Sequence, residues 1–393
     1  MTQRLFVVTK SLDLGGTEIA TGELLSRLDR RLVEPIFMCF STSVFIRRLL
    51  QRFNLDIAIV EGTNESNAWA LWLGFRKLQP DVVLFVHAEL GIISWWVHFA
   101  ARLSGARRVV AIEHLLADPP PPGVTGHGLK SLIRRWLGWR TRYMLGIRLR
   151  GALCHKTICV STGVRNRLVH DYQYSKKNTV VILNGIDVQR FRVGGESFHI
   201  REALKIGREE IVLVAVARLE PRKRIDILLK ALALVLNKSL PCKCIIVGDG
   251  PSKNELVNLA SQLGVGSAVH FVGYQQDVSS YLRESDIYVT PSEKEGSPLT
   301  LLEAMATGLP CIATDIDGHN EVVEHGSSGL LCALHSAESV ARCLEELLAD
   351  SQKRRLMASR SRQRAESHFD IEATTARLKH VLFEEPYETD EAR

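Results

Sequence analysis

Short apolar runs alternate with amphipathic stretches along this chain, and midway the whole alternation begins again. The first series runs RLFVVTK (4–10), EPIFMCF (34–40), DIAIV (56–60), DVVLFVH (81–87), RVVAIEH (108–114), KTICVS (156–161) and TVVILNG (179–185). Helix-period stretches such as EIATGELLSRLDR (18–30) and AWALWLGFRKL (68–78) lie between them. A strand that is apolar along its whole length is buried on both faces, and strands separated by helices pair in parallel under helices on both sides. The second series is IVLVAVARL (211–219), CKCIIVG (242–248), AVHFVGY (268–274), DIYVTPS (286–292), PCIATD (310–315) and GLLCA (329–333). Residues 186–208 are polar, contain a Gly-Gly pair and hold no long apolar run. The pattern predicts two successive doubly wound α/β units joined near 186–195, which suits a chain of 393 residues, longer than one core usually serves.

No run of about 18 uncharged apolar residues occurs, so no membrane-spanning helix is expected. The chain opens MTQRLFVVTK, passing into a strand-like run without the apolar stretch of a secretory leader, which gives the expectation of a cytoplasmic protein. Its eight cysteines are scattered mostly in apolar runs and form no Cys-x-x-Cys pair, which argues against a disulfide framework or zinc site. Charge is uneven. Residues 1–180 carry 25 Lys and Arg against 13 Asp and Glu, whereas 181–393 carry 25 against 31. A basic first half predicts an anionic partner.

Doubly wound sheets bind ligands at the carboxyl ends of their strands, in the loops entering helices. The densest such loop is SEKEGSPLTLLEAMATGLP (292–310). Ser297 and Pro298 read as N-cap and first turn of a helix over about 298–307, with Gly308 and Pro310 as its stop. The amides of Leu299 and Thr300 then point out of the helix start and, with the dipole, form an anion site. A diphosphate there places Glu303 near a ribose and Glu295 toward a sugar. The same text reads as a surface glutamate and a solvated helix face, although Glu303 has apolar neighbours and needs a partner if buried.

VARLEPRKRID (216–226) follows a strand and carries Arg218 and Lys223, a planar fork and a point cation suited to a pyrophosphate leaving group, or equally a basic surface loop. The Gly-Asp-Gly-Pro turn at 248–251 is a second phosphate candidate or only a tight connection. Gly15 and Gly16, in LGGTE (14–18), allow close backbone approach, but the G-x-G-x-x-G spacing of a dinucleotide site is absent. His87 and His114 end strands, where each either meets a sugar hydroxyl or phosphate or is a hydrogen-bonded core histidine.

Together these segments resemble glycosyltransferase family four, the retaining enzymes of the GT-B fold. The resemblance covers most of the chain. It rests on GGTE (15–18), ICVSTGVRNRL (158–168), LNGIDVQRF (183–191), ARLEPRKRIDILLKAL (217–232), IVGDGP (246–251) and the continuous stretch FVGYQQD…GSSGLL (271–331). It implies two Rossmann-like domains facing across a cleft, an acceptor-binding one over 1–186 and a donor-binding one over 187–365, with 366–393 a helix returning to the first domain and a tail. By position, Glu295 resembles the family's glutamate on the donor sugar, and Glu303 the one on the ribose. Arg218 and Lys223 resemble the basic pair on the diphosphate, Gly16 the glycine abutting the phosphates, and His114 the first-domain histidine touching the sugar. In the family a glycine commonly follows the motif lysine; here Arg224 stands there.

The activity so implied is transfer of a sugar from a nucleoside diphosphate sugar to an acceptor hydroxyl with retention, in assembly of a polysaccharide, lipopolysaccharide or glycolipid. Fixed cations and a helix dipole replace a metal, so no cofactor is expected, and Asp315-x-Asp317 is discounted as a metal motif. Residues 127–150 carry seven Lys and Arg and no acid, interleaved with Trp136, Trp139 and Tyr143, behind four prolines at 119–122. That composition fits the anionic inner face of a membrane, with a lipid-linked or other glycan acceptor, or a helix with a solvated basic face. Nucleic acid is not expected, since no recognition fold accompanies the charge. An epimerase or phosphorylase on the same fold would give an isomerised nucleotide sugar or a sugar phosphate. A non-catalytic relative would lack nucleotide affinity.

Overall fold

The computed structural model describes residues 2–9, 16–39, 59–60, 68–88, 93–114, 139–194 and 199–384. Gly15 and residues 127–138 lie outside the described residues. The chain divides into two compact units, Met1–Leu183 with Glu372–Arg393, and Asn184–Ile371.

The first unit holds β1 (Gln3–Thr9), β2 (Val33–Cys39), β3 (Ile59–Val60), β4 (Val82–His87), β5 (Arg108–Glu113), β6 (Lys156–Cys159) and β7 (Thr179–Val181). They form one sheet in the order β3-β2-β1-β4-β5-β6-β7, and every pairing is parallel. Its helices are α1 (Gly16–Ser26), α2 (Ala68–Leu78), α3 (Trp95–Leu103), α4 (Trp139–Leu153) and α5 (Thr162–His170). Phe6, Val8, Val83, Phe85, Val109 and Ala111 of the sheet meet Phe75 of α2 and Val97, Ala100 and Ala101 of α3 in one core.

The second unit holds β8 (Ile211–Val216), β9 (Cys242–Val247), β10 (Val269–Gly273), β11 (Ile287–Thr290), β12 (Cys311–Thr314) and β13 (Gly329–Cys332). Their order is β10-β9-β8-β11-β12-β13, again all parallel. The principal helices are α6 (Ile225–Asn237), α7 (Lys253–Gln262), α8 (Leu299–Ala306), α9 (Ala337–Ala349) and α10 (Ser351–His368). Leu228, Leu232 and Val235 of α6 pack with Leu213, Ala215, Cys244 and Ile246 of the sheet and with Val340 and Leu344 of α9. Burial of each such large aliphatic side chain contributes about 2 kcal/mol.

The chain enters and leaves the second unit along adjoining segments. Ile186 N–H donates to Phe369 O at 2.7 Å, and Ile371 N–H donates to Ile186 O at 3.1 Å. The last helix, α11 (Ile371–Phe383), is tied into the first unit by an Arg27–Glu372 pair at 3.0 Å and by an Arg108–Glu384 pair just beyond its end.

One interaction inside the first unit is costly to break. Arg150 of α4 and Glu113 at the end of β5 are 2% and 1% exposed and meet at 2.8 Å. Burial lifts the Glu113 carboxyl above its ordinary range against the pull of Arg150. Beside them His87 and His98 share a hydrogen bond, Nε2 to Nε2, at 3.2 Å. The Arg150→Met variant leaves a buried carboxylate without its partner and is expected to cost about 3–5 kcal/mol. Adding Glu113→Gln should restore most of that loss. Thermal and urea unfolding of both variants checks the prediction.

Candidate functional site

Strand order decides where a ligand fits in the second unit. The chain runs outward from β8 to β9 and β10, then returns to lay β11 on the opposite side of β8. Loops leaving β8 and β11 therefore diverge at the carboxyl edge and open a crevice between them. Arg218 and Lys223 sit on the first loop. Glu295 and Ser297 sit on the second, which leads into α8 with Leu299, Thr300 and Glu303.

The β8 loop is held from below by the 248–251 turn. Gly248 has φ +137°, and a Cβ on it would stand 1.9 Å from Ala217 O, so only glycine fits. Leu219 N–H donates to Asp249 O at 2.9 Å and Ser252 N–H to Leu219 O at 3.0 Å. The turn thus supports the basic loop. Arg218 is 58% exposed at its side chain and pairs with Glu220 at 2.9 Å; Arg222 takes the other Glu220 oxygen at 3.0 Å. Pro221–Lys223 form a single 3-10 turn, closed by Arg224 at φ 49°, ψ 38°. Arg224 therefore adopts the left-handed conformation that a glycine takes freely, at a cost of about 1 kcal/mol. Its guanidinium is engaged by Asp226 at 3.0 Å and Glu293 at 3.7 Å.

The two loops are joined. Glu293 N–H donates to Arg222 O at 2.9 Å, and Lys223 Nζ forms a close ion pair with Glu295 Oε1, both side chains being largely buried. Burial alone would raise the Glu295 carboxyl. Lys223, with His319 and Arg222, more than offsets this and holds it below its ordinary range.

Helix α8 starts one residue later than its sequence predicts. Pro298 is the N-cap, with φ −74° and ψ 111°, and no side chain caps the helix. Ser297 does not serve as the cap because its Oγ accepts from Asn184 N–H at 3.1 Å, while Asn184 Nδ2 donates to Ser297 O at 2.7 Å. The first amides of α8, those of Leu299 and Thr300, have no intrahelical acceptor and meet no capping side chain. Tyr288 Oη donates to Thr300 Oγ1 at 2.8 Å and fixes that hydroxyl. Glu303 is 7% exposed on the same helix. It is a buried acid in an apolar segment, not a solvated face.

His319 is a site residue that the sequence reading did not single out. It follows Gly318, whose φ is +88° and whose absent Cβ would lie 2.3 Å from Gly296 O, so this turn presses on the Glu295–Gly296 backbone. His319 is fully buried, and its Nδ1 donates to Thr314 O at 3.0 Å. In the neutral ring that leaves Nε2 as an acceptor, buried and without a hydrogen-bond partner. Burial holds the ring below its ordinary range, aided by Lys223 and opposed by Glu295 and the Thr314 carbonyl. The signal was present as Gly-His in a turn after a strand.

The first unit holds the remaining predicted residues. His114 follows β5, is 7% exposed, and donates its backbone N–H to His87 O at 3.0 Å. Burial pushes its imidazole down to about 4, so it is neutral near pH 7. Gly16 opens α1, and nothing lies within 4 Å of where its Cβ would stand. His87 is a core histidine, 1% exposed and bonded to His98. Asp315 accepts from Asn320 Nδ2 at 3.3 Å. Among the described residues, no group of three or more His, Cys, Asp and Glu side chains is placed to hold a metal ion.

Comparison with known proteins places this arrangement. Residues 14–190 match the family described as Glycosyltransferase Family 4, and residues 196–364 match Glycosyl transferases group 1. The N-acetyl-alpha-D-glucosaminyl L-malate synthase of Bacillus anthracis is 30% identical over 57% of this chain and 59% of its own length. The UDP-Gal:alpha-D-GlcNAc-diphosphoundecaprenol alpha-1,3-galactosyltransferase of Escherichia coli is 26% identical over 80% of this chain and 78% of its own. The crystal structure of Anabaena HepE in complex with UDP superposes with a TM-score of 0.78 at 20% identity, over 98% of this chain and 100% of that one. Two parallel doubly wound sheets and two consecutive family matches lead to one conclusion: the chain belongs to the group 1, family-four glycosyltransferases and has their two-domain α/β GT-B fold.

Proposed function

We propose that this glycosyltransferase moves a sugar from a nucleoside diphosphate sugar to an acceptor hydroxyl with retained configuration, and that the β8 and β11 loops of the second unit hold the donor. The observation that carries this reading is the uncapped start of α8 next to the Lys223–Glu295 pair. Free amides at a helix tip favour a phosphate, and two cations of the facing β8 loop, Arg218 and Lys223, complete a diphosphate site in this reading. A diphosphate draws Lys223 toward its oxygens and frees Glu295 to accept from sugar hydroxyls. Glu303 takes the ribose hydroxyls. Ser297, fixed by Asn184, sets the height of the loop between them. In the first unit, the family resemblance assigns His114 to the sugar and Gly16 to the phosphates. Burial keeps the His114 ring neutral, so it offers hydrogen bonds and no charge.

The chemistry is a substitution at the anomeric carbon. The bond from that carbon to the diphosphate oxygen breaks, and the bond to the acceptor oxygen forms on the same face. The acceptor proton passes to the departing phosphate oxygen. Negative charge grows on the diphosphate as it leaves, and in this reading Arg218, Lys223 and the amides of Leu299 and Thr300 stabilise that charge. These fixed groups perform the role a metal plays elsewhere, so the reaction proceeds without one. The name of the Escherichia coli relative specifies a lipid-diphosphate-linked acceptor. Together with the acid-free stretch 127–150, it supports a glycan or lipid-linked acceptor in cell-surface glycan assembly. The enzyme then works as a peripheral protein on the inner face of the cytoplasmic membrane. Among the described residues no helix is long and apolar enough to cross a membrane.

Turnover of nucleoside diphosphate sugars tests the site. Lys223→Ala and Glu295→Ala should each lower kcat/KM by about 100-fold, corresponding to roughly 3 kcal/mol of lost transition-state stabilisation, while each variant stays folded at the assay temperature by circular dichroism. Wild-type rates in both variants would remove these residues from the reaction. Excess EDTA should leave turnover unchanged, and a loss reversed by added magnesium or manganese would contradict the metal-free mechanism.

A further inference from the structure

Three neighbouring helices of the first unit leave apolar side chains in solvent. Trp96, Phe99 and Leu103 of α3 are 46%, 38% and 55% exposed, Leu73 of α2 is 45% exposed, and Leu145 of α4 is 54% exposed. On α3 the three follow at i, i+3 and i+7, which is one face of a helix. The opposite face of α3, Val97, Ala100 and Ala101, is spent on the core. The helices lie side by side. Trp72 Nε1 of α2 donates to Leu103 O of α3 at 3.2 Å, and Trp95 Cδ1 of α3 stands 3.5 Å from where a Cβ on Gly146 of α4 would be. Trp96 and Phe99 meet edge to face with ring centres 6.2 Å apart. Helix α4 is pinned from beneath by the buried Arg150–Glu113 pair.

The charge on these helices has one sign. AWALWLGFRKL, WWVHFAARL and WRTRYMLGIRLRGAL contain no acidic residue. Arg76, Lys77, Arg102 and Arg148 are exposed among the apolar side chains. Aromatic rings and leucines flanked by cations match the boundary of an anionic bilayer, where rings and aliphatic chains enter the headgroup region and cations meet phosphates. A second copy of the chain would bring like charge against like. A nucleic-acid backbone would satisfy the cations and leave Leu73, Leu103 and Leu145 with nothing to bury against.

We propose that the outward face of α2, α3 and α4, centred on Trp96, Phe99 and Leu103, is the surface by which this enzyme docks on an anionic membrane. The proposal rests on the reading that the acceptor is presented at a membrane, and it extends the contact from the 127–150 segment, which supplies most of α4, to the exposed side chains of α2 and α3.

Sedimentation with phosphatidylglycerol vesicles and with phosphatidylcholine vesicles is the test, run on the full chain and on the W96S/F99S/L103S variant. Wild type should sediment with the anionic vesicles, less so as salt is raised, and should stay in solution with the neutral ones. The variant should lose binding at least tenfold while keeping its unfolding midpoint and its affinity for nucleoside diphosphates. R102E/R148E should lose binding to the same lipid while leaving the apolar face intact. If the triple variant sediments like wild type, the docking face lies elsewhere, although membrane association stands. If wild type binds no vesicle, both readings fall. A wild-type dimer by light scattering that the triple variant converts to monomer, or an oligonucleotide bound as tightly as the vesicles, would assign the face to another partner and overturn the proposal.

Discussion

Parallel strands cannot be joined by tight turns. Each needs a crossover that carries the chain back to the same end of the sheet, and all described pairings here are parallel. The crossovers of the second unit first build β9 and β10 on one side of β8, then β11, β12 and β13 on the other. That reversal is the constraint on which the candidate site depends. It places two loops distant in sequence at adjacent strand ends, so that Lys223 and Glu295, 72 residues apart, share an ion pair.

The loops are held by backbone contacts as much as by side chains. Gly248 lets one turn lie against the carbonyl of Ala217, and Gly318 lets another lie against Gly296. Asn184, the first residue of the second unit, grips Ser297 from both its amide and its side chain. Arg362 of α10 donates to Val188 O at 3.0 Å and Phe191 O at 2.7 Å, and also to the carbonyl of Ala306, the last residue of α8. Helix α8 is thus fixed at both ends to the segment 184–191. Its amides are aimed before any anion arrives, which is what electrostatic preorganisation requires.

The thirteen described strands were legible in the sequence as short apolar runs, clearest where a strand is buried on both faces; β1 keeps Leu5 to Val8 wholly out of solvent. Arg218, Lys223, Glu295 and Glu303 were singled out by their place at strand ends and by resemblance to the family, while spacing alone left a basic surface loop and a surface glutamate open; of the four, Lys223 and Glu295 meet in an ion pair. What was not legible depended on contacts distant in sequence. Ser297 looks like a helix cap until Asn184, 113 residues earlier, takes its hydroxyl. His87 resembles a site histidine until His98 is seen against it. Arg224 stands where a glycine is usual, and its left-handed conformation is tolerated because Asp226 and Glu293 hold its side chain. His319 was hidden because its proximity to Glu295 comes from the fold of the Gly318 turn.

The account turns on one placement, a pyrophosphate at the start of α8. A crystal structure of the full chain with a bound nucleoside diphosphate tests it most directly. The account predicts phosphate oxygens about 3 Å from the amides of Leu299 and Thr300, with Lys223 turned from Glu295 toward them and the ribose against Glu303. A nucleotide seated on other residues, with the Lys223–Glu295 pair undisturbed and the α8 amides facing only water, would contradict it.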